Sequence, residues 1–163
     1  MRPLESKLVT LDRLSEIAGD WRKRGSRLVT TNGCFDLLHM GHIRSLVQAR
    51  QKGDLLFVGV NSDISVRGLK GPSRPIWDES TRALQLAAIE AVDYVTIFPQ
   101  TTPETFLRAV RSHVHVKGAD YEGKQIPEQV IVAEWGGTIA YIDLVAGVST
   151  TELIRRLKLL GEE

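Results

Sequence analysis

A single cysteine, Cys34, stands among the 163 residues of this sequence. One cysteine excludes an intramolecular disulfide and a zinc site built from several thiolates, and nothing in the chain calls for an oxidising compartment. Charge of either sign is also not in excess. The chain has 21 basic residues against 20 acidic ones, a net charge of +1. No global field therefore draws it toward nucleic acid or an anionic membrane, and any phosphate binding has to be local. Long apolar runs are missing: MRPLESKLVTLDRL carries no hydrophobic stretch followed by a small-residue cleavage site, and no segment approaches the ~18 to 20 apolar residues of a membrane span. There is no GxxxxGK[ST] loop, no GxGxxG after the first strand and no GxSxG elbow, which removes Walker-type kinases, dinucleotide oxidoreductases and α/β-hydrolases. A cytoplasmic protein without nucleic-acid or membrane partners is expected.

With 42% hydrophobic and 25% charged residues, the chain is long enough to bury the core of one globular domain. Short β-branched runs alternate with longer helical stretches, the pattern of crossover units and a parallel sheet. Strands are predicted at 28–31, 55–60, 94–98, 114–117 and 138–142. Helices are predicted from His42 to about Gly53, over 79–91, from Pro103 to about Ser112, from Pro127 to Trp135 with a stop at Gly136-Gly137, and over about 150–160. Residues 61–78, with two Gly, two Pro and several cations but no clean periodicity, read as a long loop. A leading helix over 10–24 has a Thr10 cap and apolar positions at Leu11, Leu14, Ile17 and Ala18. The predicted fold is α/β: a single Rossmann-like, doubly wound domain, with five parallel strands and helices on both faces. Residues 1–27 form an N-terminal helix packed on a domain spanning 28–163.

The chemistry concentrates in TTNGCFDLLHMGH, residues 30–42. A tight Gly33 turn follows the first strand, and His39 and His42 stand at the mouth of the next helix. Ligands of open α/β sheets bind there, outside the carboxyl ends of the strands. Histidines three apart at a helix start can face one ligand, and the free N–H groups of that helix attract an anion. One histidine capping the helix and the other packing on the sheet is the structural alternative. Metal ligation is disfavoured, because zinc wants three or four ligands and none follows nearby in sequence. Gly33 also serves as a simple turn, and Asp36 as an Asx-type turn acceptor.

GCFDLLHMGH resembles the (G)xFDxxHxGH signature of the HxGH nucleotidyltransferase superfamily. Further segments match in order: VNSD at 60–63, LKGPSRP at 69–75, EAVD at 90–93, KGADY at 117–121 and GVSTTELI at 147–154. Together they are most similar to the adenylyltransferases of ADP-heptose synthesis, which occur fused to a sugar kinase or as separate proteins; this chain looks like the separate form. The resemblance implies transfer of AMP from ATP to D-glycero-β-D-manno-heptose 1-phosphate, with pyrophosphate released, for lipopolysaccharide or related surface-glycan synthesis. A cytidylyltransferase acting on glycerol 3-phosphate or another polyol phosphate is the alternative enzyme, and a nucleotide-binding regulatory module the alternative outside catalysis.

In-line attack of a substrate phosphate oxygen on the α-phosphorus needs positioning and charge stabilisation rather than a protein nucleophile. The resemblance implies His39, His42 and Lys70 as catalytic residues. It implies Asn32, Gly33, Cys34, Phe35, Gly41, Lys117, Gly118, Asp120, Ser149, Thr150 and Thr151 at the nucleotide and its phosphates, and Asp36, Asn61, Asp63 and Arg74 at the second substrate. The family arginine after the STT run aligns with Ile154, and Arg155 follows one place later, so no phosphate role carries over to it. ATP and a sugar 1-phosphate are the expected partners. Mg2+ would be held mainly by the ATP phosphates with no protein metal site. A homo-oligomer is expected, and the loop around Lys70 and Arg74 is expected to act as a lid over both substrates.

Overall fold

In the computed structural model, residues 3–143, 145 and 147–160 are described. Five strands, β1 (Leu28–Gly33), β2 (Leu55–Asn61), β3 (Tyr94–Phe98), β4 (Val114–Gly118) and β5 (Thr138–Ile142), form one sheet in the order β3-β2-β1-β4-β5. Every pairing is parallel. Seven α-helices occur among the described residues: α1 (Leu11–Lys23), α2 (Met40–Arg50), α3 (Asp63–Lys70), α4 (Glu79–Ala87), α5 (Glu104–Val110), α6 (Pro127–Ala133) and α7 (Thr150–Leu160). Of these, α2 to α6 supply the long crossovers that parallel neighbours need, while α1 precedes the sheet and α7 follows it. This is the Rossmann-like, doubly wound α/β architecture that the alternation predicts.

Side-chain alternation along each strand divides the core into two layers. Val29, Leu56, Val58, Val60, Val95, Val114 and Val116 point to one face, where α2 and α4 bury Leu46, Ala49, Ala83 and Leu86 against them. Leu28, Leu55, Phe57 and Phe98 point to the other, under α1, α5 and α6, which contribute Leu14, Ala18, Phe106, Val110 and Ile131. Because both faces are covered, β2 is buried along its whole length, and its sequence reads as a continuous apolar run rather than an alternation. Ahead of α1, a short 3-10 turn at Leu4–Lys7 leads to Leu8, which bridges in parallel to Val95 of β3, with Val9 N–H donating to the Val95 carbonyl at 3.0 Å. Thr10 then caps α1 by accepting from Arg13 N–H.

Two boundaries differ from the prediction in an informative way. Residues 63–70 of the expected 61–78 loop form α3, capped by the Ser62 side chain accepting from Ser65 N–H and ended by Gly71 at φ 98°. Two helical turns containing Gly68 are too short to display a 3.6-residue period, so the cap was the only legible signal. The helix after Asp78 stops at Ala87 instead of 91. Strand order reverses at β1: the chain moves outward through β2 and β3, then crosses to β4 on the other side. That switch point opens a crevice beyond the ends of β1 and β4.

Candidate active site

A cleft of about 820 Å³ fills this crevice, within the usual range for a small-molecule site. Its walls come from the β1–α2 turn, the ends of α3 and β4, and the starts of α2, α6 and α7.

The β1–α2 turn is shaped by packing. Phe35 adopts φ 48°, a left-handed conformation rare for a bulky residue, and its buried ring meets the edge of His42 at 5.4 Å between centroids. His39 caps α2: its Nδ1 accepts from His42 N–H at 3.4 Å. The two imidazoles stack, 3.8 Å apart and 23° from coplanar. A side chain at Gly41 would put its Cβ 2.9 Å from the His39 ring, so only glycine leaves the imidazole in place. His39 thus does what a purely structural histidine does and still presents its ring to the cleft. Burial lowers the pKa of His39, and burial together with the neighbouring His39 ring pushes His42 down to about 4. Both rings are therefore neutral at pH 7 in the free protein, each with one N–H to donate.

Asp36 is almost fully buried. Its carboxylate accepts from the Arg74 guanidinium, from Ile76 N–H at 2.7 Å and from Trp77 N–H at 3.1 Å. Arg82 on α4, with no exposed surface, donates to the Cys34 carbonyl at 2.6 Å, the Trp77 carbonyl at 3.0 Å and Asp63 Oδ1 at 2.8 Å. Together Asp36 and Arg82 tie residues 74–77 to the histidine turn. The expected lid is thus a short helix, α3, followed by a segment clasped at its far end. Lys70, the last residue of α3, is exposed at the cleft wall.

Of the residues expected at the site, all but Asp63 line the cleft. Asp63 lies at the start of α3, where its carboxylate takes the Arg82 ion pair and its own N–H donates to Glu79; the buried guanidinium, which nothing in the helical pattern of 79–91 reveals, accounts for the difference. Asn61 lines the cleft, but its amide donates to Ser65 Oγ at 2.9 Å. Ser149 caps α7 by accepting from Glu152 N–H at 3.1 Å, leaving Thr150 and Thr151 at the cleft wall. Arg155 is exposed and paired with Glu152. Burial raises the pKa of the Cys34 thiol above its ordinary value, outweighing the opposing charges of Lys70, Arg82 and Arg74, so it is a protonated packing group at neutral pH. Sequence reasoning missed Glu128, whose carboxylate holds Lys117 Nζ at 3.0 Å in the cleft wall; its place in the first turn of a short helix carries no such signal.

A family model described as cytidylyltransferase-like matches residues 30–156. The bifunctional protein HldE of Methylobacillus flagellatus is 48% identical over 151 residues, which is 93% of this chain and 31% of that protein. HldE of Koribacter versatilis is 50% identical over 152 residues, again 93% of this chain and 31% of the relative. The chain therefore spans about a third of the length of the curated relatives it matches. Among solved structures, the lipopolysaccharide core biosynthesis protein from Thermoplasma volcanium is 26% identical and superposes with a TM-score of 0.60, covering 74% of this chain and 98% of that one.

Proposed function

Because the chain belongs to the cytidylyltransferase-like family and is a nucleotidyltransferase, we propose that it transfers AMP from ATP to D-glycero-β-D-manno-heptose 1-phosphate, giving ADP-heptose and pyrophosphate. The observation that carries the reading is the pair of stacked, neutral imidazoles at the start of α2, at the switch-point end of the sheet and facing the start of α7 across one cleft. The heptose substrate is supported by the HldE relatives.

In this reading the triphosphate lies along the N–H groups at the starts of α2 and α7. A phosphate oxygen of the sugar attacks the α-phosphorus, and the bond to the bridging oxygen breaks as pyrophosphate leaves. His39 and His42 donate N–H bonds to the α- and β-phosphate oxygens, bonds that strengthen as charge moves onto the leaving group. Lys70, exposed at the cleft wall, offsets the repulsion between two phosphorylated anions. Asp36 acts through Arg74 and the 76–77 amides, holding the loop rather than the sugar. Mg2+ would enter with the nucleotide substrate, held mainly by its phosphates, where it neutralises phosphate charge.

A pyrophosphate-release panel tests the reading by crossing ATP, CTP, GTP and UTP with heptose 1-phosphates, hexose 1-phosphates and glycerol 3-phosphate. The highest kcat/KM is expected for ATP with the heptose 1-phosphate. A preference for CTP with a polyol phosphate would replace the substrate assignment, and no turnover with any pair would leave a nucleotide-binding module.

A further inference from the structure

The cleft is chemically two-ended. Imidazoles, helix starts and the exposed Lys70 gather at one end, where phosphates belong, with Arg74 beside them paired to Asp36. At the other end, where β4 runs out, the only cation facing the cleft among the described residues brings its own counter-ion. Lys117 Nζ lies 3.0 Å from Glu128 Oε1, and the two side chains are 11% and 9% exposed. The Tyr121 ring, its centroid 4.8 Å from the ammonium, and the side chains of Ile126 and Val145 complete this wall. A nearly buried pair with no net charge, set among flat and apolar surfaces, repels neither a nucleobase nor its desolvation, and offers a triphosphate little. Such a pair is also weak evidence for a stability role, since apolar residues of similar volume stabilise as well or better. What it supplies that apolar residues cannot is a donor and an acceptor side by side at the edge of a cleft. Thr30 pairs with His115 across β1 and β4, and two residues further along β1 Asn32 adds a buried Oδ1 with no partner among the described residues.

We propose that Lys117 and Glu128 read the Watson–Crick edge of the nucleobase. The Glu128 carboxylate accepts from the exocyclic amino group, and Lys117 Nζ donates to the ring nitrogen beside it. Adenine and cytosine share that edge, an amino group next to an acceptor nitrogen. Guanine, hypoxanthine and uracil present a carbonyl next to an N–H, which sets acceptor against carboxylate and donor against ammonium. The pair therefore admits amino bases and rejects oxo bases by placing like against like. The inference rests on the nucleotidyltransferase reading with ATP as donor, and deepens it by assigning the residues that choose the base.

ATP and ITP, which differ at the 6-amino or 6-oxo group, provide the test in wild type and in Glu128→Gln, with the heptose 1-phosphate saturating. Wild type is expected to favour ATP by at least ~100-fold in kcat/KM. The variant is expected to shrink that ratio by at least ~10-fold, mainly by gaining ITP turnover, because the glutamine amide can turn its NH2 toward O6. A purely structural Glu128 would lower both activities together and leave the ratio alone. Thermal melting checks that the variant is folded; should it melt far below wild type, Lys117→Met decides by the same ratio. Wild-type ATP turnover with an unchanged ratio in a folded variant overturns this inference alone. A wild-type preference for ITP or UTP overturns it as well, and no turnover of any nucleotide removes the parent reading and this one with it.

Discussion

At the scale of single residues, the site depends on how two histidines are kept uncharged in water-accessible surroundings. Stacking at 3.8 Å makes each ring a poor neighbour for a second positive charge, and burial disfavours the first. The pKa of His42 is pushed down to about 4 in the free protein, so its ring should stay neutral well below its ordinary titration range near 6.5. Two-dimensional NMR of the imidazole nitrogens should therefore show neutral-form shifts for His42 down to pH 5, and a higher midpoint once a triphosphate is bound. A midpoint near 6.5 in the free protein would mean that the stack opens in solution. These histidines were legible in the sequence because HxGH places the whole arrangement within four residues. Asp63 was not, because its partner Arg82 lies nineteen positions away on another helix and only the fold brings the two together.

At the scale of elements, the segment between α3 and α4 is held through one carboxylate. Asp36 neutralises Arg74 and accepts two backbone N–H groups with almost no solvent contact. Removing it leaves a largely buried guanidinium and two orphaned amides. Loss of one partner from a buried pair costs ~3 to 5 kcal/mol, and because Arg74 can turn toward water the lower end applies. Asp36→Ala is expected to lose about 3 kcal/mol in urea unfolding, with the amides of Ile76 and Trp77 losing hydrogen-exchange protection more than those of β2. A loss below ~1 kcal/mol with both amides still protected would show that the loop is held elsewhere. Sequence pattern resolves elements of this kind poorly. The strands and long helices announce themselves by runs and periods, whereas α3 spans two turns and the 71–77 segment has no period at all. Both take their form from tertiary contacts with Asp36 and Arg82.

At the scale of the whole molecule, the sheet buries another histidine inside its core. His115 on β4 has no exposed surface; its Nδ1 shares a 2.9 Å hydrogen bond with Thr30 Oγ1, which in turn bonds Ser112 Oγ at 2.6 Å. Burial, and then the charge of Lys117, push its pKa down to about 3. The folded state thus refuses a proton that the unfolded chain accepts near pH 6.5. Stability from this group is fully present above pH 6.5 and is lost as pH falls from there toward 3, and His42 adds to the loss in the same direction. Between pH 7.5 and 5.0 the His115 contribution alone comes to about 2 kcal/mol. Urea midpoints measured across that range should fall accordingly, and the fall should be smaller in His115→Gln. Equal pH dependence in the two proteins would place the effect elsewhere.

The same scale gives meaning to the bridge between Leu8 and Val95. In the order β3-β2-β1-β4-β5, β3 is an outer strand, and an uncovered outer strand offers its N–H and C=O groups to any passing chain. Residues just ahead of α1 occupy part of that row, with Val9 N–H already satisfying the Val95 carbonyl. The segment before α1 thus leaves less of the β3 edge open to pairing with another chain, independent of anything that happens in the cleft.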